Sequence, residues 1–243
     1  MKEGIGTHSL WKLPLIGTVH SDTVYTTWLA MAVALLLLAF VGNGYRSARA
    51  NKTQTVFEGI IDYVSDMVYG SLGKNGEPFV PFFIALFVFI FLLNQFGIFP
   101  FEQLGLPFGG APTADLNTTV PYALVIFFMI WISAIRQKGL GAFKHLAQPF
   151  PVLLPINVLE ELARPVTLAA RLFFNIFVGG LLYIIIASIT TAKVQIGAFN
   201  LSIAVSILPF FIQFFNFFVG TVQAFVFTLL GIVYLSLAVA DEH

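Results

Sequence analysis

Charged residues are so sparse along this chain that the gaps between them mark out its elements. No Asp, Glu, Lys or Arg lies between Asp22 and Arg46, between Glu77 and Glu102, or between Asp115 and Arg136. A helix that crosses a bilayer needs about 20 mostly apolar residues. Each gap therefore predicts one span, at 24–42, 79–99 and 118–135. The gap from Arg171 to Lys193 is also long enough, but helical patterning starts earlier, after the turn Gln148-Pro149-Phe150-Pro151 and Pro155. A helix over 156–190 would run roughly 50 Å at 1.5 Å per residue. That is too long to stand upright in a core of about 30 Å, so strong tilt or curvature is expected. The last gap, Lys193 to Asp241, predicts a short loop near Gly197 and a second overlong helix over 201–240, with Pro209 as the place for a bend.

Between the first two spans the pattern changes. Over residues 53–69, Val56, Phe57, Ile60, Ile61, Val64, Met67 and Val68 recur at helical spacing, with Glu58, Asp62 and Asp66 on the polar side. An acidic face is wrong for an anionic lipid surface. The segment reads either as a connector packed on its own bundle or as a docking site for a partner subunit. No repeat or low-complexity linker divides the chain, so 1–243 is read as one membrane domain, with 1–23 as an N-terminal segment.

Composition fixes the solvent. Hydrophobic residues make up 58% of the chain and DEKR 10%, against roughly 45–50% and 25% in soluble proteins. A soluble globule cannot hide that much apolar surface, and disorder needs the opposite balance. Twelve basic and twelve acidic residues cancel, which argues against a nucleic-acid partner held by bulk positive charge. There are no cysteines, so disulfides, thiolate metal sites and cysteine nucleophiles are excluded. No G-x-x-x-x-G-K-[ST] run occurs, so nucleotide chemistry belongs elsewhere, and no cofactor or metal site is expected. The fold class is an all-α membrane protein of five spans, the last two long and tilted, plus an amphipathic connecting helix.

Orientation follows the basic residues of the loops. Arg46, Arg49, Lys52, Lys74, Arg136, Lys138, Lys144 and Arg164 gather on one side, and Lys2, Lys12 and Lys193 on the other. An N-terminus outside and a C-terminus inside satisfy that bias. The first span starts too late for a signal peptide and is followed by arginines, as a retained anchor is.

One basic residue is left over. Arg171 lies near the middle of the fourth predicted span, and an arginine at membrane depth costs roughly 3 kcal/mol on insertion scales. It either snorkels to an interface or marks an ion path. At about 100° per residue, Glu160, Arg164, Thr167, Arg171 and Asn175 fall within about 40° of one meridian. In the last helix Ser202, Ser206, Gln213, Asn216, Gly220 and Gln223 share an arc of roughly 100°. A polar stripe alone more often glues helices than conducts; facing an arginine stripe, it favours a hydrated seam. A guanidinium does not titrate in proteins, so Arg171 acts as a fixed charge on something else. No acid lies between Glu161 and Asp241. A carboxylate partner at that depth must then come from another chain.

These residues carry a resemblance. The run from Leu159 to Asn175, with Arg164-Pro165 and Arg171-Leu172-Phe173-Phe174-Asn175, is similar to the signature of subunit a of F-type ATP synthases. So are Pro112-Thr113-Ala114-Asp115-Leu116-Asn117, Leu153-Leu154-Pro155-Ile156-Asn157 and Val222-Gln223-Ala224-Phe225. The resemblance covers the chain from about residue 20 onward, in order. It implies a stator in the bacterial plasma membrane, with a c-ring and the subunit b stalk as partners and with protons as the translocated ion. Proton against sodium would be decided mainly by groups on the c subunit. The resemblance further implies that Arg171 faces the ring carboxylates, between two offset aqueous half-channels. The outer one would be lined by Asn175, Gln213, Asn216, Gln223 and Asp115, the inner by Glu160, Glu161, Arg164 and His145. Phe174 stands where relatives commonly have glycine, and Gly180 and Asn216 where many have an acid or histidine. Those two positions do not titrate here. The competing readings are a self-contained channel or secondary transporter, which should carry its own intramembrane acid or an inverted repeat, and a membrane scaffold, which needs no arginine at mid-depth.

Overall fold

A computed structural model describes residues 10–13, 17–43, 52–98, 112–139, 141–143, 150–191, 195–196, 199–200 and 207–239. The chain begins with a hairpin, β1 (Leu10–Leu13) paired antiparallel with β2 (Gly17–His20), which runs directly into α1 (Ser21–Asn43). Next come α2 (Lys52–Leu72), a 3-10 segment (Gly73–Phe79) and α3 (Val80–Phe96). A short 3-10 turn (Pro112–Ala114) leads into α4 (Leu116–Lys138). The long helix α5 (Leu154–Thr191) follows, then a two-residue hairpin, β3 (Gln195–Ile196) with β4 (Phe199–Asn200), and α6 (Leu208–Val239).

Five helical stretches are long and apolar enough to cross a membrane. The molecule is an all-α membrane protein with two small hairpins attached. At 1.5 Å per residue the 38 residues of α5 span about 57 Å, nearly twice a hydrocarbon core.

The helix bounds have local causes. Asp115 caps α4: its Oδ1 accepts the Asn117 N–H at 2.9 Å, and Arg136 and Lys138 occupy the last turn, where cations suit the helix dipole. Pro81 lies in the first turn of α3, where a missing N–H costs no intrahelical bond. The same reasoning corrects one expectation. Ile207 is in a turn and α6 starts at Leu208, so Pro209 opens this helix rather than bending one begun at 201. Pro165, in contrast, sits inside α5 without ending it. In lipid a broken helix would strand carbonyls without water, which favours keeping the helix whole around a proline.

The core lies where α3, α4, α5 and α6 meet: Phe83, Ile90, Leu93, Ile126, Leu172, Phe227, Ile232 and Leu235 are all fully buried. At Gly231 an added Cβ would come within 3.2 Å of the Phe83 ring, so the glycine lets α3 and α6 close up. The acidic-faced helix α2 packs on this bundle through Val64 and Val68, with Tyr63 beside the Phe225 ring at 5.8 Å. Val56, Ile61 and Tyr69 remain exposed, so α2 packs on its own bundle and leaves part of its apolar surface open.

Candidate functional site

Polar groups are arranged along α5 in three tiers. The first is an ion-pair cluster. Glu161 and Arg164 are paired at 2.8 Å, with Glu160 at 3.6 Å from the other guanidinium nitrogen. The two carboxylates differ: the Glu161 side chain is 9% exposed and the Glu160 side chain 68%. Arg164 also lies over the ring of Tyr234 on α6, 5.3 Å from its centroid, a geometry in which a cation is attracted to the π face. A small cavity between Glu161, Arg164, Pro165, Tyr234 and the α4 residues Phe127 and Ile130 adjoins this cluster. The Thr167 hydroxyl donates to the Arg164 carbonyl at 2.9 Å, so this member of the predicted stripe is turned back onto its own helix. His145 and the two serines Ser202 and Ser206 lie outside the described residues.

The third tier, toward the other end of α5, is a seam of amides. The Asn175 amide donates to Gln223 Oε1 at 2.8 Å, and the Asn216 amide to the Gly179 carbonyl at 3.4 Å. A Cβ at position 179 would collide with Asn216 Oδ1, so glycine is what permits this approach. Gly180, one residue on, has open space in front of it. The partner of Asn216 is thus Gly179. Among the described residues, the two predicted stripes meet over this stretch.

Three helices build the seam rather than two. The Asn94 amide on α3 donates to the Gly220 carbonyl at 3.0 Å, and Gln95 donates to Phe217 and Thr221 of α6. The Gln213 amide donates to the carbonyl of Ile98 just beyond α3, so it faces α3, not α5. Asn94 and Gln95 were absent from the sequence-derived set. Their signal was two adjacent amides near the end of an otherwise apolar span. Asn94 and Gln223 are buried, and Asn94 Oδ1, Gln95 Oε1 and Gln223 Nε2 have no hydrogen-bond partner among the described residues. Buried polar atoms without protein partners are where ordered water belongs.

Arg171 occupies the tier between. It lies one turn from Asn175, and on its buried side Leu168, Ala169 and Leu172 pack into the core. The arginine itself is exposed, and its guanidinium has no ion pair or side-chain hydrogen bond among the described residues. The nearest acid in sequence on α5 is Glu161, about 15 Å away along the axis and already paired with Arg164. Beside Arg171, Phe174 and Val178 on α5 are exposed, and so are the polar Thr167 and Asn175 one turn away on either side, while Phe214, Phe215 and Phe218 are exposed on α6.

Asp115 stands apart from the seam residues. Its Oδ2 is 2.8 Å from His20 Nδ1, an ion pair when the ring is protonated, with both side chains partly buried.

Among the described residues there are therefore five membrane-length helices, an arginine without an ion pair midway along one of them, and an amide seam above it. A comparison with known families agrees with this layout: residues 24–236 match the ATP synthase A chain family. The chain belongs to that family, subunit a of the ATP synthase F0 sector.

Proposed function

We propose that this chain is the stationary half of a proton path, with Arg171 presented to carboxylates on a rotating c-ring. The observation that carries the reading is the state of Arg171: exposed, near mid-helix, with no acid of its own within bonding distance among the described residues. A fixed charge at membrane depth costs too much to be left without a counter-charge. An acid arriving from a neighbouring subunit supplies one. Because a guanidinium does not give up its proton, it holds a passing carboxylate in its charged form and closes the direct route between the two sides.

In this reading Asn175, Gln213, Asn216 and Gln223, with Asn94 and Gln95 added, order water on the outer side, and Asp115 lies near its mouth. On the inner side, Glu160 is the carboxylate best placed to exchange protons, since it is far more exposed than Glu161. Glu161 and Arg164 neutralise one another and hold α5 against α6 through Tyr234. His145 completes the inner set. The subunit b stalk would hold the chain still, the N-terminus would lie outside a bacterial plasma membrane and the C-terminus in the cytoplasm. Each proton crossing 100 mV delivers about 2.3 kcal/mol, so several must pass for each ATP made elsewhere in the complex.

The test is Arg171→Ala in the assembled complex. ATP-driven proton pumping should be lost while the complex remains intact on purification. Coupled pumping that survives in the variant would overturn the proposal.

A further inference from the structure

The seam contains amides but no titratable side chain, and the positions Gly180 and Asn216 cannot exchange protons. Yet a titratable pair stands at the same end of the bundle. His20 closes strand β2 at the start of α1, and Asp115 caps α4. These residues are 95 apart in sequence, but Nδ1 of one and Oδ2 of the other are 2.8 Å apart. The histidine side chain is 31% exposed and the aspartate 17%, so the pair spans the boundary between solvent and the helix ends.

Two residues before Asp115, Thr113 is fully buried and its hydroxyl has no hydrogen-bond partner among the described residues. The 3-10 turn that carries it packs against α1, α3, α4 and α5. Asn94 Oδ1, Gln95 Oε1 and Gln223 Nε2, likewise buried without hydrogen-bond partners among the described residues, belong to the seam on α3 and α6. Unsatisfied polar atoms thus lie inward of the pair, where water would hydrogen-bond to them.

We infer that His20 and Asp115 form the proton-collecting pair at the mouth of the outer path, an inference that rests on the function proposed above. Uptake of one proton converts a neutral imidazole beside a carboxylate into an imidazolium–carboxylate pair. Release of that proton inward restores the neutral ring and the carboxylate. Histidine suits the task because its ordinary titration falls in the physiological range. Of the other titratable or charged residues on the elements around the pair, Lys12 on β1, Asp22 and Tyr25 on α1, Tyr122 on α4 and Tyr183 on α5 are in the halves nearer to it; Arg136 and Lys138 end α4, Glu160, Glu161, Arg164 and Arg171 are in the first half of α5, and α3 has none. None of these is a second histidine.

The experiment uses the assembled complex in vesicles, with proton flux driven by a fixed membrane potential from the face that carries Asp115. The pH on that face is varied from about 6 to about 9, across the ordinary histidine range. His20→Gln can still hydrogen-bond but cannot titrate, and Asp115→Asn keeps an acceptor for the helix cap. Both should lose flux several-fold more steeply than the parent toward the alkaline end, where protons are scarce, and recover toward the acid end. The double variant should be no steeper than either single one. A loss of equal size at every pH, as a purely structural clamp would give, overturns the inference, and so does unchanged flux. Arg171→Ala run in parallel separates the two levels. If it stops coupled flux while His20→Gln has no pH-dependent effect, only the collecting pair is wrong. If Arg171→Ala still conducts coupled flux, the underlying function is wrong.

Discussion

Arg164 and Arg171 occupy nearly the same meridian of α5, about 10 Å apart along its axis, and their surroundings are opposite. Arg164 has an acid three residues back at 2.8 Å, a second at 3.6 Å and the face of Tyr234 against it. Arg171 has none of these among the described residues and is exposed, with Phe174 and Val178 exposed beside it. The first arginine is complete within its own chain and serves the packing of α4, α5 and α6. In the proposed function the second is completed by another molecule. Residue type and helical phase are shared, so the difference comes from what the neighbouring turns supply. Glu160 and Glu161 precede Arg164, whereas Leu168, Ala169, Leu172 and Phe173 surround Arg171.

That contrast breaks first at Glu161. Glu161→Ala would leave Arg164 partly buried without its closest counter-charge, and removing one partner of a buried pair costs about 3–5 kcal/mol. The expected result is a large drop in recovered, assembled complex. Pumping per assembled complex should persist, unlike in Arg171→Ala. Pumping lost in proportion to nothing but the substitution, with assembly normal, would move Glu161 from packing into the proton path.

A smaller effect is expected in the seam. Hydrogen bonds between membrane helices contribute about 0.6 kcal/mol on average. The Asn175–Gln223 bond is therefore expected to add little to stability. Gln223→Leu should slow proton flux while leaving the melting temperature of the complex within a degree or two. Asn216→Leu should act in the same direction but less, since its bond to the Gly179 carbonyl is longer, 3.4 Å against 2.8 Å. Unchanged flux in both would take the seam out of the path. The least effect is expected at Gly180→Ala, where a new methyl meets open space on this chain. Folding and flux should both be near normal, whereas Gly179→Ala should disturb the Asn216 contact.

Sequence patterning located the five spans because charges are few and lipid tolerates no others. It located Arg171 for the same reason. Three features were not legible. Asn94 and Gln95 pair across 126 and 122 residues with Gly220 and Phe217 of α6, and no local period reports which face of α3 meets which helix. The match of Gly179, rather than Gly180, to Asn216 depends on the rotation of two helices by one residue, about 100°. The His20–Asp115 contact joins a strand end to a helix cap 95 residues away, a separation no local pattern reports. At Pro209 the error had another origin: a proline in an apolar run is compatible with a bend or with a helix start, and a start costs no hydrogen bond.

The central claim is that the exposed side of α5 beside Arg171 meets a carboxylate-bearing helix of another subunit. The chain has no cysteines, so one can be placed at a time without background. Phe174→Cys and Val178→Cys put a thiol on the exposed surface, and Leu172→Cys puts one in the core. Each is combined in the assembled complex with a cysteine one turn from the ring carboxylate, and disulfide formation is measured on mild oxidation. The account predicts cross-links from positions 174 and 178 and none from 172. Assembled complex that cross-links from neither exposed position would contradict it.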